Sequence, residues 1–253
     1  MNTKINQEER AFRAWDVLGI YAKDKKTITY KELGEKLNVH YRTCRYFLDY
    51  IQNYCMENKL PPLTIIVVNQ EGIVGTGFTA WDTDNLAEGL NRVFKYNWDN
   101  QPNPFSFAED GTTSEEIVEQ LLNNVTDKKE IYVRVKVRGI IQTVFRRALL
   151  QVYNNKCAFC GFSHVVALEA SHIVPWSHST DEERVSVNNG ILLCSNHHKL
   201  FDSGILKINK DYKIEATLPF NSNILGKKIR LPKLKKHYPN VNNFEKRNKI
   251  ITN

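Results

Sequence analysis

The chain has 253 residues, 42% of them hydrophobic, and a formal net charge of +7. This length suits one or two globular domains. The longest apolar run, residues 63–68, is far shorter than the roughly 20 residues of a membrane-spanning helix, and the first ten residues are polar, unlike a secretory leader. We therefore expect a cytoplasmic protein without a membrane partner.

The charge is distributed unevenly between the two halves of the chain. Residues 1–126 contain 13 Lys+Arg and 18 Asp+Glu, a net charge of −5, whereas residues 127–253 contain 22 and 10, a net charge of +12. A basic half indicates a polyanionic partner. A solvated basic face would give the same composition, so charge alone does not decide between these interpretations.

Three helices are predicted in the first part of the chain. Apolar residues recur at helical spacing over residues 8–22. Thr29 followed by Glu32 is a capping box and predicts the start of a second helix. Asn38 interrupts that helix, and a third helix is predicted from about Tyr41 to Cys55.

A β-hairpin is predicted next, with strands at residues 63–68 and 73–78 around a turn at 69–72. Helices followed by a hairpin resemble a winged-helix domain with a helix-turn-helix. Such a domain contacts DNA or serves as a dimerisation or packing unit, and both alternatives stay open. The acidic first half argues against DNA contact, while a local basic set favours it: Lys36, His40, Arg42 and Arg45.

Prolines, a glycine and polar residues over 97–114 indicate a linker. A short helix is predicted from Ser114 to Leu122. Residues 131–138 alternate between apolar and polar or basic side chains, which predicts a half-buried strand. Residues 139–153 then follow the pattern of an amphipathic helix.

Two paired half-sites predict a structural zinc ion. Cys157 and Cys160 are separated by two residues, as are Cys194 and His197. Each pair places two ligands in one turn, and four such ligands surround a tetrahedral zinc. His164 is an alternative fourth ligand, although it lacks the paired spacing.

Between these half-sites the sequence predicts two short strands, at residues 168–174 and 190–193, and a helix that includes residues 198–202. Two strands and a helix held by zinc are expected to bring His172 and His198 face to face.

These residues closely resemble the HNH nuclease family over about residues 144–208. The resemblance rests on VFRRALLQVYNNKCAFCG, LEASHIVPW and NNGILLCSNHHKLFDSGIL. The motif residues of the family fall on His172, Asn189 and His198. The resemblance implies a ββα-metal fold and phosphodiester hydrolysis with one divalent metal, usually magnesium.

The chemistry of these residues agrees with that implication. Neutral His172 can accept a proton from water, and a metal held by His198 can bind the scissile phosphate. Asn189 is expected to fix the loop that presents His172. Many HNH nucleases have Asp or His just before the general base, but this chain has Ser171. Asp202 is the natural substitute ligand, or else a structural hydrogen-bond acceptor.

Three further features have no assigned catalytic role. His178 and His237 are expected at the surface. Residues 226–249 are rich in Lys and Arg and either contact phosphates along DNA or form a solvated tail.

Together these patterns predict an α+β protein with a winged-helix-like domain at 1–100, a linker at 101–129 and a zinc-stabilised HNH nuclease domain at 130–253. The expected function is a metal-dependent endonuclease for double-stranded DNA, in restriction or phage defence, with structural Zn²⁺ and catalytic Mg²⁺ or another divalent cation. A palindromic cut would favour a homodimer. The alternatives are a homing or nicking nuclease, or a non-catalytic zinc-organised DNA-binding regulator.

Overall fold

The computed structural model describes residues 5–123, 127–135, 138–219 and 222–252. The chain divides into two compact units. The first extends to Ser114 and includes a short segment ending at Ile140, and the second contains the remaining residues. Both helices and short strands are present, in agreement with an α+β protein. In the described ranges, no helix has the length and apolar character needed to span a bilayer.

The helices predicted at the start of the chain are present. Thr29 and Glu32 form the predicted capping box, and Asn38 ends the second helix in the left-handed conformation with φ of 52°. Asparagine tolerates this conformation, so the chain reverses here into the next helix. The elements are α1 (Gln7–Lys23), β1 (Ile28–Thr29), α2 (Tyr30–Leu37) and α3 (Cys44–Glu57).

The hairpin predicted after α3 is much reduced. Leu63–Ile66 is a 3₁₀ turn, and only β2 (Val67–Val68) is a strand, which pairs in parallel with β1. The predicted return strand is reduced to a single antiparallel bridge between Val68 and Val74. All of residues 63–68 are buried, so the segment lacks the solvent face of a hairpin strand. The winged-helix assignment therefore remains a prediction.

The predicted linker was wrong in its first part, because residues 98–108 belong to the core of the first unit. They follow α4 (Leu86–Lys95). Trp98 and Phe105 are buried, and their rings lie 5.8 and 6.2 Å from that of Trp15. Pro104 lies in a turn, but the buried aromatic residues of this segment provide the packing.

The strand predicted at residues 131–138 was also wrong. The chain forms α5 (Ser114–Asn123), α6 (Lys128–Arg134) and α7 (Arg138–Val152). Asp127 caps α6 by accepting a hydrogen bond from the backbone N–H of Lys129. Ile131 and Val135 are buried one turn apart, whereas Val133 is 59% exposed. This pattern of burial is that of a helix, and the alternation of apolar and polar residues is compatible with a helix as well as with a strand. Residues 136 and 137 lie outside the described residues.

An antiparallel hairpin forms the centre of the second unit, as predicted. Its strands β3 (Leu168–His172) and β4 (Gly190–Cys194) are joined by a segment containing α8 (Asp181–Val185), and α9 (Ser195–Asp202) follows directly. Gly190 pairs with His172, and a Cβ at this position would lie 2.7–2.8 Å from Phe145 and Leu149 of α7. Glycine therefore allows α7 to approach the end of the hairpin closely.

The basic C-terminal segment is folded, which excludes a purely solvated tail. The strands β5 (Leu206–Ile208) and β6 (Ile214–Ala216) form a second hairpin, and α10 (Val241–Thr252) follows. Phe244 and Arg247 of α10 are buried. His237 was expected at the surface, but it is buried and its Nε2 lies 2.9 Å from the carbonyl oxygen of Leu122. His178 is exposed, as expected.

Candidate active site and metal centre

The four predicted zinc ligands form a single cluster. Their ligand atoms all lie within 4.8 Å of one another. The Sγ atoms of Cys160 and Cys194 are 4.0 Å apart, and the Nδ1 of His197 lies 3.2 Å from Cys194 Sγ and 3.7 Å from Cys157 Sγ. Tetrahedral zinc with bonds of about 2.3 Å separates its sulfur ligands by about 3.8 Å. The cluster therefore has the size of a structural zinc site.

The environment of the cluster suits a cation. Burial raises the pKa of the Cys157 thiol and lowers the pKa of His197, so a thiolate here needs a nearby positive charge, while the imidazole stays neutral and able to ligate. His164, the alternative fourth ligand, is exposed and is not part of the cluster. Within the described ranges no other group of three or more such ligands is found.

His172 lies at the end of β3 with its ring stacked on Phe145, the centroids 3.9 Å apart and the planes inclined by 7°. The ring of Trp176 is nearly perpendicular to that of His172, with the centroids 5.5 Å apart. The Nε2 atom lies 2.9 Å from the carbonyl oxygen of Arg184. A carbonyl oxygen only accepts hydrogen bonds, so Nε2 carries the proton and Nδ1 is the basic nitrogen of the neutral ring. Burial lowers the pKa of His172 and favours this neutral form.

Asn189 is fully buried beneath the loop between the strands. Its Oδ1 accepts a hydrogen bond from the backbone N–H of Val174 at 2.9 Å, and its Nδ2 donates to the carbonyl oxygen of Glu183 at 3.2 Å. Its own carbonyl oxygen accepts from Ile173 N–H at 2.8 Å. Asn189 thus connects the residues that directly follow His172 to the segment that supplies its carbonyl partner.

His198 lies between two carboxylates. Its Nδ1 is 2.7 Å from Glu169 Oε2, and its Nε2 is 3.2 Å from Asp202 Oδ2. When Nδ1 donates its proton to Glu169, the lone pair of Nε2 faces a carboxylate oxygen. Two electron-rich atoms at this separation need a proton or a cation between them. The distance is close to the roughly 3 Å between neighbouring ligands of an octahedral Mg²⁺ with bonds of about 2.1 Å.

The other oxygen of Asp202 faces the interior of the unit. Oδ1 lies 3.4 Å from Ser171 Oγ and 3.4 Å from a guanidinium nitrogen of Arg247. Arg247 is 3% exposed and also donates to the carbonyl oxygens of Ile173 and Phe201, at 3.1 and 2.6 Å. The buried cation therefore fixes the orientation of Asp202 and leaves Oδ2 toward His198.

The structure shows no contact between His172 and His198 in the described part of the chain, so the two rings are not directly face to face. Successive strand residues point to opposite faces. His172 consequently packs against α7, whereas Glu169 and Ser171, which share the other face of β3, contact His198 and Asp202 of α9. Asp202 is nevertheless close enough to act electrostatically on His172.

Comparison with known families identifies this arrangement. Residues 157–209 match the family model for the HNH endonuclease. These residues form an HNH endonuclease domain. The match includes the cluster of three cysteines and a histidine, β3, β4 and α9, and it confirms the family to which the motifs pointed. No curated protein matches the chain.

One solved structure similar to parts of the chain is a modification-dependent TagI restriction endonuclease, with a TM-score of 0.34 and 24% sequence identity. The match covers 42% of this chain and 36% of that chain, so it spans little more than a third of the length of the TagI protein.

Three residues around the HNH site were not anticipated from the sequence. Glu169 precedes Ser171 by two residues, and strand alternation alone would have placed both on one face. Phe145 and Arg247 are distant in sequence from the motif, and a single sequence gives no indication that they pack against it. Arg247 instead appeared to be one more member of the basic C-terminal set.

Proposed function

We propose that this protein is a metal-dependent endonuclease that hydrolyses phosphodiester bonds of double-stranded DNA in a restriction or phage-defence role. One observation supports this most strongly. His172 has one ring nitrogen committed to the Arg184 carbonyl and the other available as a base, near the pair formed by His198 and Asp202. A protein that only binds DNA has no need for this arrangement.

His172 acts as the general base in this proposal. Its lowered pKa keeps the ring neutral at physiological pH. Nδ1 accepts the proton of the attacking water as the oxygen approaches phosphorus. Stacking on Phe145 and the bond to Arg184 fix the ring, so that the lone pair keeps one direction. Asn189 maintains this orientation through the loop and does not itself contact the substrate.

His198 Nε2 and Asp202 Oδ2 would hold the catalytic metal, Mg²⁺ or another divalent cation. When bound, such an ion supplies a Lewis acid that neutralises charge on the phosphate and on the leaving oxygen. Glu169 holds the ring of His198 by its opposite nitrogen, as second carboxylates commonly do for metal-binding histidines. The three-thiol, one-imidazole cluster would hold a separate zinc ion that stabilises the fold.

Conversion of supercoiled plasmid tests the proposal. The full chain should cut the plasmid with added magnesium and fail without it, His172→Ala should be inactive, and the exposed His178→Ala should cut normally. Linear product without a nicked intermediate would support a double-strand cut by a homodimer, whereas nicked product alone would favour the nicking alternative. DNA binding without any magnesium-dependent cleavage would contradict the proposal and favour the regulator.

A further inference from the structure

The hairpin of β5 and β6 is extended by a third segment of chain. Residues 227–230 lie beside the start of β6, where Lys213 and Lys228 form an antiparallel bridge. The backbone N–H of Ile229 donates to the carbonyl oxygen of Tyr212 at 2.8 Å. The basic stretch that follows β6 is therefore held to the hairpin by backbone hydrogen bonds.

Alternation along this segment places three basic side chains on one side. Residues directly opposite each other in an antiparallel bridge project to the same side, and so do residues two positions apart on one strand. Lys213, Lys228 and Arg230 therefore share a side, and all three are exposed. Ile214 and Ile229 project to the other side and are buried. The buried isoleucines fix the backbone beneath the three basic residues, which we call the basic face.

The two lysines of the basic face are adjacent like charges. Side chains directly opposite in such a bridge have Cβ atoms about 4.5–5.5 Å apart, and like charges at this separation repel each other. No residue of the basic face takes part in a salt bridge with a described carboxylate. Glu215 shares their side, but its Oε1 accepts from Asn209 at 2.6 Å and it lies opposite Lys207. A polyanion would supply the missing counter-charge.

Arg230 joins the basic face to the cluster of three cysteines and a histidine. Its backbone N–H donates to the carbonyl oxygen of Ala158, in the turn that follows Cys157, at 2.7 Å. Its guanidinium lies against the backbone of Gly161, where a Cβ would be only 2.8 Å from a guanidinium nitrogen. Gly161 has a φ of 78°, a conformation that favours glycine. The position of this arginine is therefore tied to the metal-binding turn.

Backbone hydrogen bonds also relate the basic face to the candidate metal pair. Arg230 bonds Ala158, Ala158 donates to Leu192 of β4 at 2.8 Å, and β4 pairs with β3. Neighbouring strands lie about 4.8 Å apart, so three such steps put Arg230 no more than about 15 Å from β3. Glu169 of β3 contacts His198. A duplex rises about 3.4 Å per base pair, so this distance corresponds to about four base pairs.

We propose that the basic face binds the phosphate backbone of duplex DNA about four base pairs from the bond that is cut. This inference rests on the proposed function. DNA is the polyanion favoured here, because a duplex held at the HNH site extends beyond this distance. Lys228 and Arg230, two residues apart, are separated by about 6.6 Å, which spans about two phosphates of one DNA strand. Phosphate contacts fix the position of a duplex without reading its sequence.

The salt dependence of duplex binding by the full chain, measured without magnesium, tests this proposal. A protein that neutralises Z phosphates gives a slope of about −0.9Z when the logarithm of the binding constant is plotted against that of the salt concentration. The double variant Lys213→Ala/Lys228→Ala should reduce the magnitude of the slope by about two, and Arg230→Ala by about one. Arg230→Lys keeps the charge and should retain the wild-type slope.

Two controls separate the basic face from net charge and from folding. Lys26→Ala/Lys95→Ala removes the same charge at exposed positions of the first unit and should leave the slope unchanged. The double variant of the basic face should have an unchanged or raised Tm, because it removes repulsion between adjacent like charges. A lowered Tm would show that the two lysines serve the fold and would count against the proposal.

The outcomes distinguish this proposal from the proposed function. An unchanged slope in both the double variant and Arg230→Ala would overturn the DNA-binding role of the basic face, even in a chain that cuts plasmid normally. Poly-glutamate that competes through these residues more strongly than duplex DNA would assign the face to an acidic protein and would also overturn it. If the slope falls as expected in a chain that cuts no plasmid, the nuclease function is refuted and the basic face remains a DNA-binding surface.

Discussion

Replacing Asn189 with alanine should destabilise the protein and slow cleavage among the molecules that remain folded. The carboxamide is fully buried, and its hydrogen-bond partners include two backbone groups, the N–H of Val174 and the carbonyl of Glu183. Each buried group left unpaired costs about 1–3 kcal/mol, or about 2–6 kcal/mol for both. The free energy of unfolding of a globular domain is about 5–15 kcal/mol, so many molecules should stay folded at 25 °C. Urea unfolding measures the loss.

The neighbouring Asn188 provides a matched control. Its Nδ2 donates to the carbonyl oxygens of Lys236 and Tyr238, at 2.9 and 2.8 Å, rather than to the loop after His172. Asn188→Ala should lose comparable stability yet cleave within about threefold of the wild-type rate, whereas folded Asn189→Ala should be more than about tenfold slower. Equal rates for the two variants in single-turnover cleavage would refute the assignment of Asn189 as the residue that positions His172.

Four further predictions address the metals and the base. Cys160→Ser should lose the zinc and become protease-sensitive in the second unit. Cys55→Ser, which changes a buried thiol outside the cluster, should keep its zinc. Elemental analysis of both variants measures their zinc content. Glu169→Ala should lower the affinity for magnesium, measured from the magnesium concentration that gives half-maximal cleavage, by about 10–100-fold while zinc is retained. His198→Ala should abolish cleavage with zinc retained. Because burial lowers the pKa of His172, the cleavage rate should fall only as pH drops below the usual histidine value of about 6.5; a decline that begins above it would contradict this.

Local sequence patterns predicted much of the second unit. Paired ligand spacing identified the cluster of three cysteines and a histidine, and the apolar runs around His172 and Leu192 identified the strands, because both patterns depend on residues close in sequence. The strand predicted at residues 131–138 failed for a physical reason. Ile131 and Val135 share a face in a strand and also lie one turn apart in a helix, so only the Asp127 cap and the exposure of Val133 distinguish the two.

Long-range packing accounts for the remaining differences between the predicted and the observed structure. Phe105 is buried against Trp15 although it lies among prolines and polar residues, where composition indicates a linker. Arg247 was one of many basic residues in its segment, and only the fold shows that its charge is buried beside Asp202. Such contacts join residues that are far apart in sequence, and no local pattern reveals them.

Chemical rescue of His172→Ala tests the central claim most directly. Single-turnover cleavage of one labelled duplex would be measured with magnesium, with and without added imidazole. Loss of the base should slow cleavage by about 10²–10⁴-fold, and imidazole, entering the space beside Phe145, should restore part of the rate. A variant that cleaves at a near-normal rate without imidazole would contradict the assignment of His172 as the general base of this nuclease.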